Sequence, residues 1–122
     1  ADAARLKRAF SELIENSLSF QPAGGTLRIA TRRADPTEAR EVARLPRAHS
    51  YVQVEFSDTG PGIPDDVKPR IFTPFYTTRT RGMGLGLSIV KGILEAHRGS
   101  IVEVGQEGKG ARFLAFLPAK SD

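Results

Sequence analysis

The chain has no cysteine and no tryptophan. Without cysteine there is no disulfide and no thiolate metal site, and a reducing compartment suits it. No apolar run approaches the roughly 20 residues that span a bilayer, and no signal-peptide pattern is visible. Two common phosphate-binding signatures are missing as well. GxGxxG read from Gly82 would need glycine at position 87, where Leu87 stands, and no strand runs straight into it. GxxxxGK followed by Ser or Thr occurs nowhere; in GQEGKG (105–110), Lys109 is followed by Gly110. Internal repeats and low-complexity tracts are absent too.

What is present fits one compact domain. The 122 residues are enough to bury a core without staples. The net charge is +4. A basic balance can signal nucleic acid, but these cations are scattered, with no basic stripe and no aromatic ladder, so no nucleic-acid partner is expected. The first residues already read as helix, so the chain is expected to be a piece of something longer.

Periodicity gives alternating helix and strand. Leu6, Phe10, Leu13, Ile14 and Leu18 form one apolar face of a helix over 3–20, which Pro22 and Gly24-Gly25 end. Thr26 to Arg32 alternates with Leu27 and Ile29 on one face, so a strand is expected. Residues 33–50 are charged and irregular; Asp35-Pro36 can cap a short helix over 37–45. Tyr51 to Ser57 alternates with Val52, Val54 and Phe56 inward. A short helix over 65–72 is limited by Pro69. The second long helix runs from Leu85 to His97, with Leu87, Val90 and Leu94 toward the core and Gly99 placed for a C-terminal cap. Ser100–Val104 and Arg112–Leu117 are strands joined by the glycine-rich turn 105–110. Helix, strands, loop, helix, hairpin imply a mixed sheet covered on one face by helices.

Five segments carry chemistry: ELIENSLSF (12–20), DTGPGIP (58–64), IFTPFYTTR (71–79), GMGLGL (82–87) and GKG (108–110). Gly82, Gly84 and Gly86 let backbone approach a phosphate with no Cβ in the way. The helix that follows turns its amides and dipole toward an anion. Asp58 ends an alternating strand. Such an Asp also starts ordinary turns, but a buried carboxylate needs a partner, and a purine amine is one. Gly60 and Gly62 permit a tight backbone beside it. Glu12 and Asn16 lie four residues apart, on one helix face offset from the apolar one.

In this order, the five segments resemble the ATP-binding domain of a sensor histidine kinase, a group that also takes in the DNA gyrases, the MutL repair proteins and the heat-shock chaperone ATPases. The likeness covers nearly the whole chain, with a gap at about residues 33–50. It implies an α+β fold: a two-layer α/β sandwich with a mixed, mainly antiparallel sheet covered on one face by helices, the Bergerat-type ATP-binding fold. It implies ATP and Mg²⁺ as ligands. Asn16 would hold the metal through its amide oxygen, and one such ligand suits magnesium, which keeps its waters. Asp58 would accept from the adenine amine, with Gly60, Gly62, Ile63 and Phe20 around the base. Gly82, Met83, Gly84, Leu85, Gly86 and Leu87 would line the phosphates. Phe72 and Phe75 would anchor a small lid, and Arg79 and Arg81 would swing over the γ-phosphate, where a planar guanidinium bonds in pairs.

The resemblance further implies phosphoryl transfer to a histidine on a separate dimerisation domain, with a response regulator receiver domain downstream. The chain itself would be monomeric and cytoplasmic, whatever the anchoring of its parent. Neither His49 nor His97 has an acceptor's acidic neighbour, so both read as structural. Three departures stand out. Ser19 replaces a frequent basic residue, for which Arg79, Arg81 or Lys91 are substitutes. Ala111 stands where Thr is common. Glu12 stands where many histidine kinases have an amide, whereas gyrase, chaperone and anti-sigma serine kinase relatives have a glutamate base. An ATPase or serine kinase using Glu12, a surface role for Glu12, and a degenerate nucleotide-binding regulatory module therefore remain open readings.

Overall fold

The computed structural model describes residues 3–19, 25–41, 43–45, 50–60, 62–73, 86–106 and 108–119. Four strands form one sheet in the order β1 (Leu27–Arg33), β2 (Tyr51–Asp58), β4 (Arg112–Pro118), β3 (Ser100–Glu103). Every described pairing is antiparallel, with Phe56 opposite Ile29 on one side and Phe113 on the other. Helices α1 (Ala3–Ser19) and α3 (Gly86–Ala96) lie on one face, and a short α2 (Pro36–Glu41) comes between β1 and β2.

The helix-side core follows from the two periodicities. Ala9 and Leu13 of α1 and Val90, Ile93 and Leu94 of α3 meet Val54, Phe56, Ile101, Phe113 and Ala115 from the sheet. The rings of Phe10 and Phe56 are tilted at 5.6 Å. Fully burying a side chain such as Leu94 stabilises by about 1.5–3 kcal/mol. This core takes no fully buried residue from β1. Ile29, expected on one face with Leu27, is 49% exposed. The edge strand runs past the footprint of the helices, so alternation there does not report burial.

The reverse face carries a second cluster. Ala34, Ala39 and Ala43 from the segment between β1 and β2 pack on Tyr51, Leu114 and Phe116. This explains why Val52, expected inward, is 37% exposed while Tyr51 and Gln53 are buried. At that end of β2 the covered face is the reverse one. The helix expected over 37–45 is shorter, Pro36–Glu41, and is capped as expected: the Thr37 amide donates to Asp35 Oδ1 at 2.8 Å. The helix expected over 65–72 shrinks to a 3₁₀ turn, Lys68–Arg70, with Pro69 inside it.

The end of α3 is capped through Gly99 as expected, but the left-handed residue is another. Arg98, not Gly99, takes the left-handed conformation, with φ of 64°. The amides of Gly99 and Arg98 return to the carbonyls of Leu94 and Glu95 at 2.7 and 3.0 Å. Gly99 is required for space instead: a Cβ there would overlap the Phe116 carbonyl oxygen. That contact lets β3 begin immediately against β4.

Candidate functional site

Strand β2, an inner strand, delivers Asp58 to one end of the sheet. Its Oδ1 accepts from the Gly60 amide at 2.9 Å and the Ala111 amide at 3.0 Å. The Asp58 amide in turn donates to the Ala111 carbonyl at 3.0 Å. Gly110 precedes that alanine at φ of 103°, and a Cβ on it would overlap the Asp58 carbonyl oxygen. The DTG and GKG segments, fifty residues apart in sequence, therefore form one unit. Sequence reasoning singled out both without joining them. The pairing of Ser57 with Arg112 is what brings them together.

The loop after Asp58 is held on both sides. The Thr59 amide donates to the Thr26 carbonyl at 3.1 Å, and the Thr26 amide to Thr59 Oγ1 at 2.9 Å. Gly62 has a φ of 76°, which an L side chain rarely adopts. Ile63 is buried in the helix-side core and anchors the loop. Phe72 packs edge-on against Phe113 at 6.3 Å.

Glu12 is half-buried on α1, one turn before Asn16. The side chain of Asn16 lies outside the described residues. Leu87, in the first turn of α3, packs against the core cluster. Phe20, His49, Phe75, Arg79, Arg81, Gly82, Met83, Gly84 and Leu85 fall outside the described residues, and Gly86 is described only as the first residue of α3. Lys91, a candidate replacement for the charge missing at Ser19, is engaged elsewhere: its Nζ is 3.0 Å from Glu95 and sits 5.5 Å over the Phe72 ring. His97 is structural in its contacts. Its Nδ1 lies 2.8 Å from the Ile93 carbonyl oxygen, and since a carbonyl only accepts, that nitrogen carries the proton there.

Among the described residues no group of three or more His, Asp or Glu could hold a metal. An all-protein metal cage is thus not what these residues offer. No helix of the described residues is long and apolar enough to cross a membrane.

Comparison with known proteins shows the family. The family described as histidine kinase-, DNA gyrase B- and HSP90-like ATPase matches residues 1–121. The chain is 37% identical over 123 residues to the adaptive-response sensory kinase SasA of Prochlorococcus marinus, covering 97% of this chain and 29% of that protein. It is 39% identical over 122 residues to the sensor kinase CckA of Brucella abortus, covering 97% of this chain and 13% of that one. The solved mycobacterial sensor histidine kinase MprB superposes with a TM-score of 0.77 at 25% identity, over 97% of this chain and 74% of its own. The chain spans less than a third of the length of the SasA and CckA relatives.

Proposed function

The chain belongs to the histidine kinase-, DNA gyrase B- and HSP90-like ATPase family, as an ATP-binding catalytic domain of the sensor histidine kinase type, and we propose that it presents Mg·ATP to a histidine on a separate dimerisation domain. The supporting observation is Asp58, a carboxylate held in one orientation by two main-chain amides and closed in by Gly110. A carboxylate so fixed selects a purine with an amine where guanine has a carbonyl. Such discrimination is strong, because the wrong base leaves two acceptors facing each other.

The residues of the chain then divide the work. Asp58 with its glycines holds the base, and Ile63 roots the loop in the core. Asn16 on α1 would hold the metal, which when bound neutralises phosphate charge. The amides at the start of α3 face the phosphates, and Arg79 and Arg81 would cover the γ-phosphate. In the transfer, the bond from γ-phosphorus to the bridging oxygen breaks and a bond to an imidazole nitrogen forms, the imidazole proton leaving to a base of the acceptor domain. Catalysis by this chain is positioning and charge stabilisation. A response regulator would then take the phosphoryl group. Because the reaction consumes ATP, the domain works in the cytoplasm.

Calorimetric titration with ATP, ADP and GTP, followed by radiolabel transfer to an acceptor hairpin supplied in trans, tests this. Adenine nucleotides should bind, GTP should not, and acid-labile label should appear only when the hairpin is present. Equal binding of GTP, or label on His97 of the chain alone, would refute the reading.

A further inference from the structure

A buried ion pair lies beside β4, one residue further along from the amide that holds Asp58. Glu103 closes β3, and its side chain is 1% exposed. Its Oε2 accepts from the Gly105 amide at 3.0 Å and the Arg112 amide at 2.8 Å. Lys68 Nζ lies 3.0 Å from Oε1, donates to the Gly105 carbonyl at 2.5 Å, and is 3.5 Å from Asp65. Two apolar side chains would fill this space without the desolvation that two charges incur. Stability is therefore a weak reason for the pair.

The neighbouring contacts supply a better one. The amides of Arg112 and Ala111 are consecutive; Glu103 holds the first, and the second donates to Asp58 Oδ1. Gly105 is hemmed in as Gly110 is: a Cβ on it would stand 2.6 Å from the Gly110 carbonyl oxygen and 2.7 Å from the Glu103 carboxylate. One carboxylate thus fixes both ends of the turn 105–110, and the strand leaving that turn fixes Asp58. Lys68 sits in the 3₁₀ turn between the DTGPGIP loop and Phe72. The same ion pair ties the approach to the proposed lid to the floor under Asp58.

We propose that Glu103 is a positioning residue for nucleotide recognition: through the Gly105 and Arg112 amides it sets the strand whose Ala111 amide orients Asp58, with Lys68 as its counter-charge. This rests on the base-recognition reading of Asp58.

The test is calorimetric titration of ADP and GDP into wild type, Glu103→Ala, Glu103→Asp and Glu103→Gln, each well below its melting midpoint. Asp keeps a negative charge but is one methylene too short to reach both amides. Gln keeps the length and an acceptor oxygen. Ala and Asp should lose ADP affinity by about ten-fold or more and narrow the ADP-over-GDP ratio, while Gln stays within about three-fold of wild type. A purely structural role would lower melting temperature and leave affinity and ratio unchanged in the folded protein. That result in Glu103→Asp overturns the proposal, as does a Gln variant as impaired as Asp. Should Glu103→Ala fail to fold, the Asp and Gln pair decides alone. A wild type with no preference for ADP over GDP would remove the base-recognition reading itself, and this inference with it.

Discussion

At one end of β2, Asp58 takes bonds from the Gly60 and Ala111 amides, and a glycine lies against its carbonyl. At the other end, Tyr51 is covered by Ala34, Ala39 and Ala43 together with Phe116, and burial pushes its hydroxyl pKa up. The first end is directional: each contact fixes an angle, and the nearby charges of Glu103 and Lys68 are paired. The second end is volumetric: small side chains fill a surface and need only fit. Buried polar groups held by several bonds rigidify a site, whereas apolar cover can be exchanged at constant volume. The comparison predicts that damage at the two ends will appear in different measurements.

The largest effect on stability belongs to the volumetric end. Phe116 is fully buried beneath the alanines of the α2 segment. Phe116→Ala should lower unfolding free energy by about 3–5 kcal/mol in a urea titration. In the folded fraction, ADP affinity should stay at the wild-type value. A loss of affinity in fully folded protein would break the division between the two ends.

The sequence showed one end of this comparison far better than the other. The faces of α1 and α3 were legible in the spacing of Leu13, Val90 and Leu94, since helical burial repeats with the helix itself. Asp58 and the glycine segments were legible because their residue types are unusual in that order. Tyr51 and Gln53 were not, because alternation assigns one face as core and both faces of β2 are buried in different places. The Lys68–Glu103 pair was invisible for a similar reason: charged residues read as surface until a partner thirty-five positions away is placed beside them. Gly99 was legible as a cap, and its amide does return to Leu94, but its need for space against Phe116 was not legible.

Next in size is Asp58→Ala, which attacks the directional end. ADP affinity should fall by about 100-fold or more, since both a base partner and the fixed acceptor are lost. The fold should lose much less than in Phe116→Ala, because the orphaned Gly60 and Ala111 amides lie at a partly exposed edge. Asp58→Asn keeps an oxygen for those amides and so should melt close to wild type while still binding ADP poorly. An Asp58→Ala protein with unchanged ADP affinity would end the claim that this end is built for recognition.

A smaller effect separates side chain from main chain at Arg112. Its guanidinium pairs with Glu55 at 3.0 Å on the reverse face, while its amide serves Glu103. The hydrogen bond from Arg112 holds the Glu55 carboxyl below the ordinary value of 4.5, against burial and with help from Arg112, Arg28 and Arg32 charges. A depressed carboxylate contributes stability that is complete above its unfolded pKa and is lost as pH falls through the lower folded value. Arg112→Ala should therefore flatten the acid side of the stability curve below pH 4.5, by about 0–1 kcal/mol for so exposed a pair. Lys68 runs the other way. Burial alone would lower its pKa, but the Glu103 bond and the Glu103 and Asp65 charges raise it above 10.5, so its contribution is complete below that value and is lost at higher pH. ADP affinity should be unchanged in Arg112→Ala, because the Asp58 clamp uses only its backbone.

The histidine kinase reading expects only a slight effect at Glu12, and the size found there decides between two chemistries. Glu12 is half-buried on α1, one turn from Asn16, so a carboxylate near metal-bound phosphates is geometrically reasonable. If it acts as a base toward water or a hydroxyl, Glu12→Gln should cut turnover by about 10²–10⁴ at preserved ATP affinity. In the histidine kinase reading the base belongs to the acceptor domain. Glu12 then meets only the water shell of the metal, and the same change should weaken Mg·ATP by a few-fold and leave trans phosphotransfer at saturating ATP near wild type. Affinity, basal hydrolysis and phosphotransfer measured on both proteins distinguish these outcomes. Strong hydrolysis by the isolated wild-type chain, lost in Glu12→Gln at unchanged affinity, would move the domain to the ATPase class. It would also place a second directional element on α1, on a different element from the clamp on Asp58.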